Sequence, residues 1–130
     1  MKKLYIFDLD DTIYLRKVNK TSQYDYHKLI RKVLTSLKKE GKVLCMASHN
    51  LDPISYLEEL GVYHLFDYII GEYPRKKDSM VLEILERTGY EKQDVIFFDD
   101  MDWNTEPVSK MGIDCYLIKS RLGILEKLID

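Results

Sequence analysis

At 130 residues, with 45% hydrophobic and 32% charged side chains, the chain reads as one soluble globular domain. A domain of that size buries about two-thirds of the surface its unfolded form would expose. A net charge of −2 gives no mandate for nucleic acid or an anionic membrane surface. Met1-Lys2-Lys3 is followed by four apolar residues before Asp8, too few for a secretory leader, and no apolar run approaches membrane-spanning length. The expectation is a cytoplasmic protein with no membrane partner.

Leu4 to Phe7 is an unbroken apolar run, the pattern of a strand buried on both faces of a parallel sheet. It runs into three carboxylates, Asp8, Asp10 and Asp11. Ionised groups are costly to bury without partners, so they belong where the strand opens into a crevice. Asp8 and Asp10 would point the same way in an extended segment, whereas a bend after Asp8 would poise one over the other. Two such charges about 4 Å apart repel by roughly 4 kcal/mol at an effective dielectric near 20. The pair calls for a cation, a shared proton, or both. Taken alone, the stretch would also pass as a solvated acidic turn.

From Tyr24 to Lys39 the apolar positions Tyr26, Leu29, Ile30, Val33, Leu34 and Leu37 recur at helical spacing, and Gly41 suits the C-terminal cap. Val43 to Ala47 is a second strand ending at Ser48. Asp52-Pro53 starts a helix that stops at Gly61. Tyr68 to Ile70 is a third strand. Glu72 to Asp78 is a loop entering a helix with Met80, Val81, Ile84 and Leu85 on one face and its end near Gly89. Asp94 to Phe98 is the fourth strand and meets Asp99-Asp100. Asn104 or Thr105 is read as the cap of a short helix through Lys110. Asp114 to Ile118 is the fifth strand, and Leu122, Leu125, Leu128 and Ile129 mark a last amphipathic helix.

Regular alternation of strand and helix implies a Rossmann-like three-layer α/β fold with a five-stranded parallel sheet. It leaves room for a single domain, 1–130. Cys45 and Cys115 fall in strands two and five and read as buried small hydrophobes. If those strands are not neighbours the two thiols cannot pair, and neither has zinc-ligand spacing. Ligands of such sheets sit beyond the carboxyl ends of the strands. Those ends carry Asp8, Ser48, the basic loop Arg75-Lys76-Lys77, and Asp99-Asp100. Singly, Ser48 could be a turn residue, Lys77 a solvated cation, the acidic pair a loop anchor and His64 a linker. Jointly they form an anion-handling set: carboxylates for a hard cation such as Mg²⁺, a hydroxyl for a phosphoryl oxygen, a lysine to offset its charge.

In this order the residues resemble the haloacid dehalogenase superfamily of phosphotransferases. Asp8-Leu9-Asp10-Asp11-Thr12 is similar to its first motif, Ser48 to its second, a lysine at a helix start to its third, and Phe97-Phe98-Asp99-Asp100 to its fourth. The small magnesium-dependent phosphatases of that superfamily are more similar still, through Glu72-Tyr73-Pro74, the lysine, Thr88-Gly89 and Asn104. Counting back from Phe97-Phe98-Asp99-Asp100 favours Lys77 over Lys76 as the third-motif lysine. His49 stands where relatives often carry Arg, so substrate preference does not transfer.

The resemblance implies a Mg²⁺-dependent phosphomonoesterase. Asp8 would attack phosphorus to form an aspartyl-phosphate. Asp10 would protonate the leaving oxygen and then deprotonate the hydrolytic water. Mg²⁺ would be held by Asp8, the backbone carbonyl of Asp10 and Asp99, with Asp100 nearby. Ser48 and Lys77, with Thr12 and His49 close, would bind the phosphoryl group, and Asp11 is read as a turn residue. The superfamily's cap insertion points are short here, so the expectation is an uncapped, open site with a flap over 13–22. That suits a phosphorylated small molecule or an exposed phosphoester on a macromolecule. Arg16, Lys17 and Lys20, with Arg75 and Lys76, would form a basic rim that could steer a phosphorylated nucleic-acid end, or be ordinary solvated cations; Tyr14 is a candidate for stacking at the mouth. The alternatives from other classes are a receiver-like phosphate- and Mg²⁺-binding domain, whose order of acids and Ser differs from this chain's, and a binding protein that kept the scaffold without catalysis.

Overall fold

The computed structural model describes residues 1–128. Five strands, β1 (Leu4–Phe7), β2 (Val43–Ser48), β3 (Tyr68–Gly71), β4 (Val95–Asp99) and β5 (Asp114–Leu117), form one parallel sheet in the order β3-β2-β1-β4-β5. The helices are α1 (Lys20–Lys39), α2 (Pro53–Leu60), α3 (Lys77–Thr88), α4 (Asp102–Lys110) and α5 (Leu125–Leu128). No helix among the described residues is long and apolar enough to cross a membrane.

The apolar strands are continuous because both faces are covered. Leu4 and Ile6 of β1, Cys45 and Ala47 of β2, and Val95 and Phe97 of β4 pack against Met80, Val81 and Ile84 of α3 and Val108 of α4. The alternate residues Phe7, Leu44, Met46 and Phe98 pack against Tyr26, Ile30 and Leu34 of α1 and Leu57 and Leu60 of α2. Phe7, Phe97 and Phe98 are fully buried. Each such side chain contributes about 1.5–3 kcal/mol by leaving water.

Several boundaries differ from the sequence reading. α1 starts at Lys20, because Asn19 caps it by accepting the Ser22 amide at 2.8 Å. The cap, not the first core-facing residue, sets that start, so Lys20 to Ser22, expected in the 13–22 segment, are helical. α4 starts at Asp102 with Met101 as its cap. Asn104 and Thr105 lie inside its first turn, and the Asn104 side chain is turned to Asp99 instead of capping. β4 runs Val95–Asp99, with Asp94 in a short 3₁₀ turn. The last helix is only Leu125–Leu128, preceded by turn residues 121–124, and Ile129 lies outside the described residues. Cys45 and Cys115 are both free, with two strands between them, and Cys115 is half-buried instead of fully buried. Burial pushes each thiol up to about 12.

Candidate active site

Strand register assembles the centre of the site. β1 pairs with β4 so that Phe7 faces Phe98. The Asp8 amide extends the ladder by donating to the Phe98 carbonyl at 2.9 Å. One step further along that register sets Asp8 beside Asp99. Both continue the alternation that puts Ile6 and Phe97 on the α3–α4 face. Ligand atoms of Asp8, Asp99 and Asp100 lie within 4.8 Å of one another.

Into this cluster α3 sends its first residue. Lys77 Nζ donates to Asp8 Oδ1 at 2.9 Å and to Asp99 Oδ2 at 2.6 Å. Its side chain is 1% exposed. One ammonium therefore bonds two of the three clustered carboxylates. Burial raises the Asp8 pKa well above the usual carboxylate range; Lys77 opposes that, and Asp99 and Asp100 add to it. Asp100 is raised by burial and by Asp99, with a hydrogen bond to Asp8 opposing. For Lys77, burial pulls the pKa down, but Asp8 and Asp99 outweigh it and leave it raised. All three directions describe a site short of positive charge. Hard cations take clustered oxygen ligands of this kind, so the residues present fit Mg²⁺.

The remaining site residues are held by local bonds. Asp99 Oδ1 accepts the Met101 amide at 3.0 Å and Asn104 Nδ2 at 3.3 Å, which orients the carboxylate. Thr12 is buried and its hydroxyl points at Asp8 Oδ2, 3.5 Å away. Ser48 is buried at the end of β2, and its Oγ accepts the Asn50 amide at 2.9 Å, leaving its own proton to donate. Lys76, exposed, is the cap residue of α3 and Lys77 is the lysine in the cluster.

Other expected members stand elsewhere. The Asp10 carboxylate is outside the converging group and meets Arg16 Nε at 2.5 Å. The cause lies in the turn: Asp11 has φ 59°, and its Oδ1 accepts the Arg16 and Lys17 amides at 2.9 and 3.2 Å. That folds the 11–17 loop back on itself and brings Arg16 to Asp10. His49 Nε2 donates to the Arg75 carbonyl at 2.6 Å and its ring meets Tyr73 edge-on. It lines a recess of about 390 Å³ with Lys76, Lys77, Trp103 and Asn104. Tyr14 donates to Glu59 at 2.7 Å and packs beside Tyr56 under Arg16. The expected basic rim is largely neutralised. Arg16 is on Asp10, Lys17 is 3.9 Å from Asp11, and Arg75 is on Glu72 and Glu83; Lys20 opens α1.

Sequence reasoning missed two buried residues that hold the loop after β1. Tyr26 donates to the Thr12 carbonyl at 2.6 Å and accepts the Ile124 amide at 2.9 Å, tying that loop to the C-terminal turn. His27 Nε2 accepts the Leu15 amide at 3.4 Å and its ring lies against Tyr14. Both sit on the buried face of α1, where spacing signals only core. Burial lowers the His27 pKa, with Glu59 opposing and Arg31 assisting. A depressed folded-state pKa means stability is complete above the ordinary value of 6.5 and is lost as pH falls through the folded value. Urea unfolding of wild type and His27→Gln between pH 7.5 and pH 5 should show a steeper acid loss in wild type. Parallel pH profiles would refute it.

The chain is therefore a doubly wound parallel α/β domain with acids at the ends of the adjacent strands β1 and β4. Solved structures share that fold. A haloacid dehalogenase-like hydrolase of Streptococcus pneumoniae superposes with a TM-score of 0.70 at 13% identity over 91% of this chain and 85% of its own. A phosphatase domain from the N-terminal part of a Bacteroides fragilis protein, solved with Mg, does so with a TM-score of 0.74 at 16% identity over 99% of this chain and 41% of its own. Residues 17–130 match the acid phosphatase family, and the chain belongs to that family, which makes it a phosphatase. Human magnesium-dependent phosphatase 1 is 26% identical over 144 residues, covering 95% of this chain and 82% of the human one.

Proposed function

We propose that the chain is an uncapped, single-domain, Mg²⁺-dependent phosphomonoesterase working through an aspartyl-phosphate on Asp8. The observation that carries this reading is the convergence of Asp8, Asp99 and Asp100, with the buried ammonium of Lys77 bonded to the first two. The similarity to human magnesium-dependent phosphatase 1 supports the choice of metal.

A carboxylate oxygen of Asp8 forms a bond to phosphorus as the ester oxygen departs, and Asp10 gives that oxygen a proton. Water then attacks phosphorus, Asp10 takes its proton, and inorganic phosphate leaves Asp8 free. Ser48 donates its hydroxyl to a phosphoryl oxygen, and Lys77 offsets the charge on the transferring group. Asn104 fixes the orientation of Asp99. Asp10 is paired with Arg16, so it must leave that partner before it can serve the ester oxygen. When bound, Mg²⁺ lowers the repulsion between Asp8 and the incoming phosphoryl group; Asp8, Asp99, Asp100 and the Asp10 carbonyl are the groups that would hold it.

p-Nitrophenyl phosphate, sugar phosphates, a phosphotyrosine peptide and end-phosphorylated oligonucleotides, each with Mg²⁺ or EDTA, form the direct test. Turnover with Mg²⁺ and none in EDTA is the expected result. Turnover insensitive to EDTA would remove the metal from the reading, and no turnover of any ester would leave a binding protein.

A further inference from the structure

A groove of about 330 Å³ leaves the reaction centre at Asp100 and runs between the 11–18 loop and residues 118–121. Lys17, Lys119 and Arg121 line it, with Asp11 and Asp100 as the acids. Lys17 lies 3.9 Å from Asp11, and Asp100 belongs to the carboxylate cluster. Lys119 and Arg121 have no carboxylate partner among the described residues. They differ in this from Arg16 and Arg75, whose charges are met by Asp10, Glu72 and Glu83.

The turn that presents these two cations is built, not loose. It leaves β5 beside the reaction centre, where the Ile118 amide donates to the Asp99 carbonyl at 2.8 Å. Glu126 Oε1 then accepts from the Lys119 amide, the Ser120 amide and the Ser120 hydroxyl at 3.1, 2.9 and 3.0 Å. Tyr116 holds the other oxygen of Glu126 at 2.6 Å. Beyond Arg121 the chain is pinned again through Ile124 to Tyr26, the residue that also holds the Thr12 carbonyl. The Lys119–Arg121 turn is thereby tied to the loop that follows Asp8, and a turn ordered in advance loses little freedom on binding.

We propose that this groove receives a second anionic group of the substrate, a phosphoryl or a carboxylate, so that the preferred ester carries another negative charge a short chain away from the phosphate being cleaved. The inference rests on the phosphatase reading above and adds the substrate class. Arg121 supplies a planar fork and Lys119 a point charge, the two complementary ways of meeting an oxyanion. The same chemistry accounts for selectivity: an uncharged leaving group fills the site without using either cation.

Propyl phosphate, propane-1,3-diol bisphosphate and hexane-1,6-diol bisphosphate, assayed with Mg²⁺ at low and moderate salt, read the groove directly. Having two cleavable ends gives a bisphosphate a twofold advantage by counting alone. The expected preference of kcat/KM for one of the two bisphosphates is about tenfold beyond that, falling as salt screens the exposed cations. Lys119→Ala with Arg121→Ala should abolish the preference and leave p-nitrophenyl phosphate turnover unchanged. A preference no larger than that twofold in wild type, or equal losses on mono- and bisphosphates in the double variant, would overturn the proposal. Calorimetric binding of the bisphosphates to Asp8→Asn, with and without the two alanines, answers the question independently of turnover. Binding that needs Lys119 and Arg121 supports the groove even if no ester is cleaved, and binding indifferent to them refutes it.

Discussion

Asp8→Asn should lower phosphomonoester turnover by about 10⁴-fold or more, the usual scale for removing a covalent nucleophile. The amide keeps the shape of the carboxylate and its place beside Asp99, but it cannot form the acyl-phosphate bond. The fold should survive, because an un-ionised group replaces a carboxylate that burial and two neighbouring acids already disfavour. Unfolding measured beside turnover separates the two effects: full folding with lost activity is the expected pair. Rapid quench with ³²P-labelled substrate should trap an acid-stable, base-labile phosphoprotein in wild type and none in the variant. Undiminished turnover by Asp8→Asn would end the covalent reading.

Lys77→Met should be the most destabilising single change at the site in metal-free protein, by about 3–5 kcal/mol. It leaves buried carboxylates without their counter-charge. The deficit should narrow as pH falls. The folded-state pKa values of Asp8 and Asp100 are raised, so their contribution is full below the unfolded carboxylate range and is lost as pH rises through the folded values. Saturating Mg²⁺ should restore part of the stability, since a ligand of the folded state shifts the balance by mass action. Lys76→Ala, at the exposed cap position, should stay within about 0.5 kcal/mol of wild type. Denaturant curves in EDTA and in Mg²⁺, each at two pH values, check all four statements. A Lys77→Met protein as stable as wild type in EDTA would show that the ammonium does not balance the cluster.

Where spacing and the folded geometry differ, one physical cause recurs. Spacing along a strand is visible in one dimension and sets Asp10 with Asp8, but it does not show where the Asp10 side chain rests, which is on Arg16. The left-handed turn at Asp11, which delivers Arg16 to Asp10, comes from side-chain bonds to amides five and six residues on. Helix starts slipped for the same reason: Asn19 and Met101 act through geometry at the end of an element, whereas periodicity registers only its middle. Tyr26 and His27 carry no signal beyond apolar spacing, and Lys119 and Arg121 lie in a turn with no pattern. A basic rim follows from counting cations along the chain. Folding brought carboxylates to most of them.

By itself the chain determined the α/β class, the five strands, and the acids, serine and lysine at one sheet edge, because each rests on local periodicity and on residues at strand ends. Tertiary structure alone decided which of these groups touch. The β1–β4 register sets Asp8 beside Asp99, and α3 packing on that face puts Lys77 between them. It also decided which cations meet a carboxylate and which turns are pinned, since Asp10 for Arg16 and Glu126 for the amides of the Lys119 turn are fixed only when the loops close. Contacts between distant segments follow from the packing of the two sheet faces, and no stretch of residues encodes that alone.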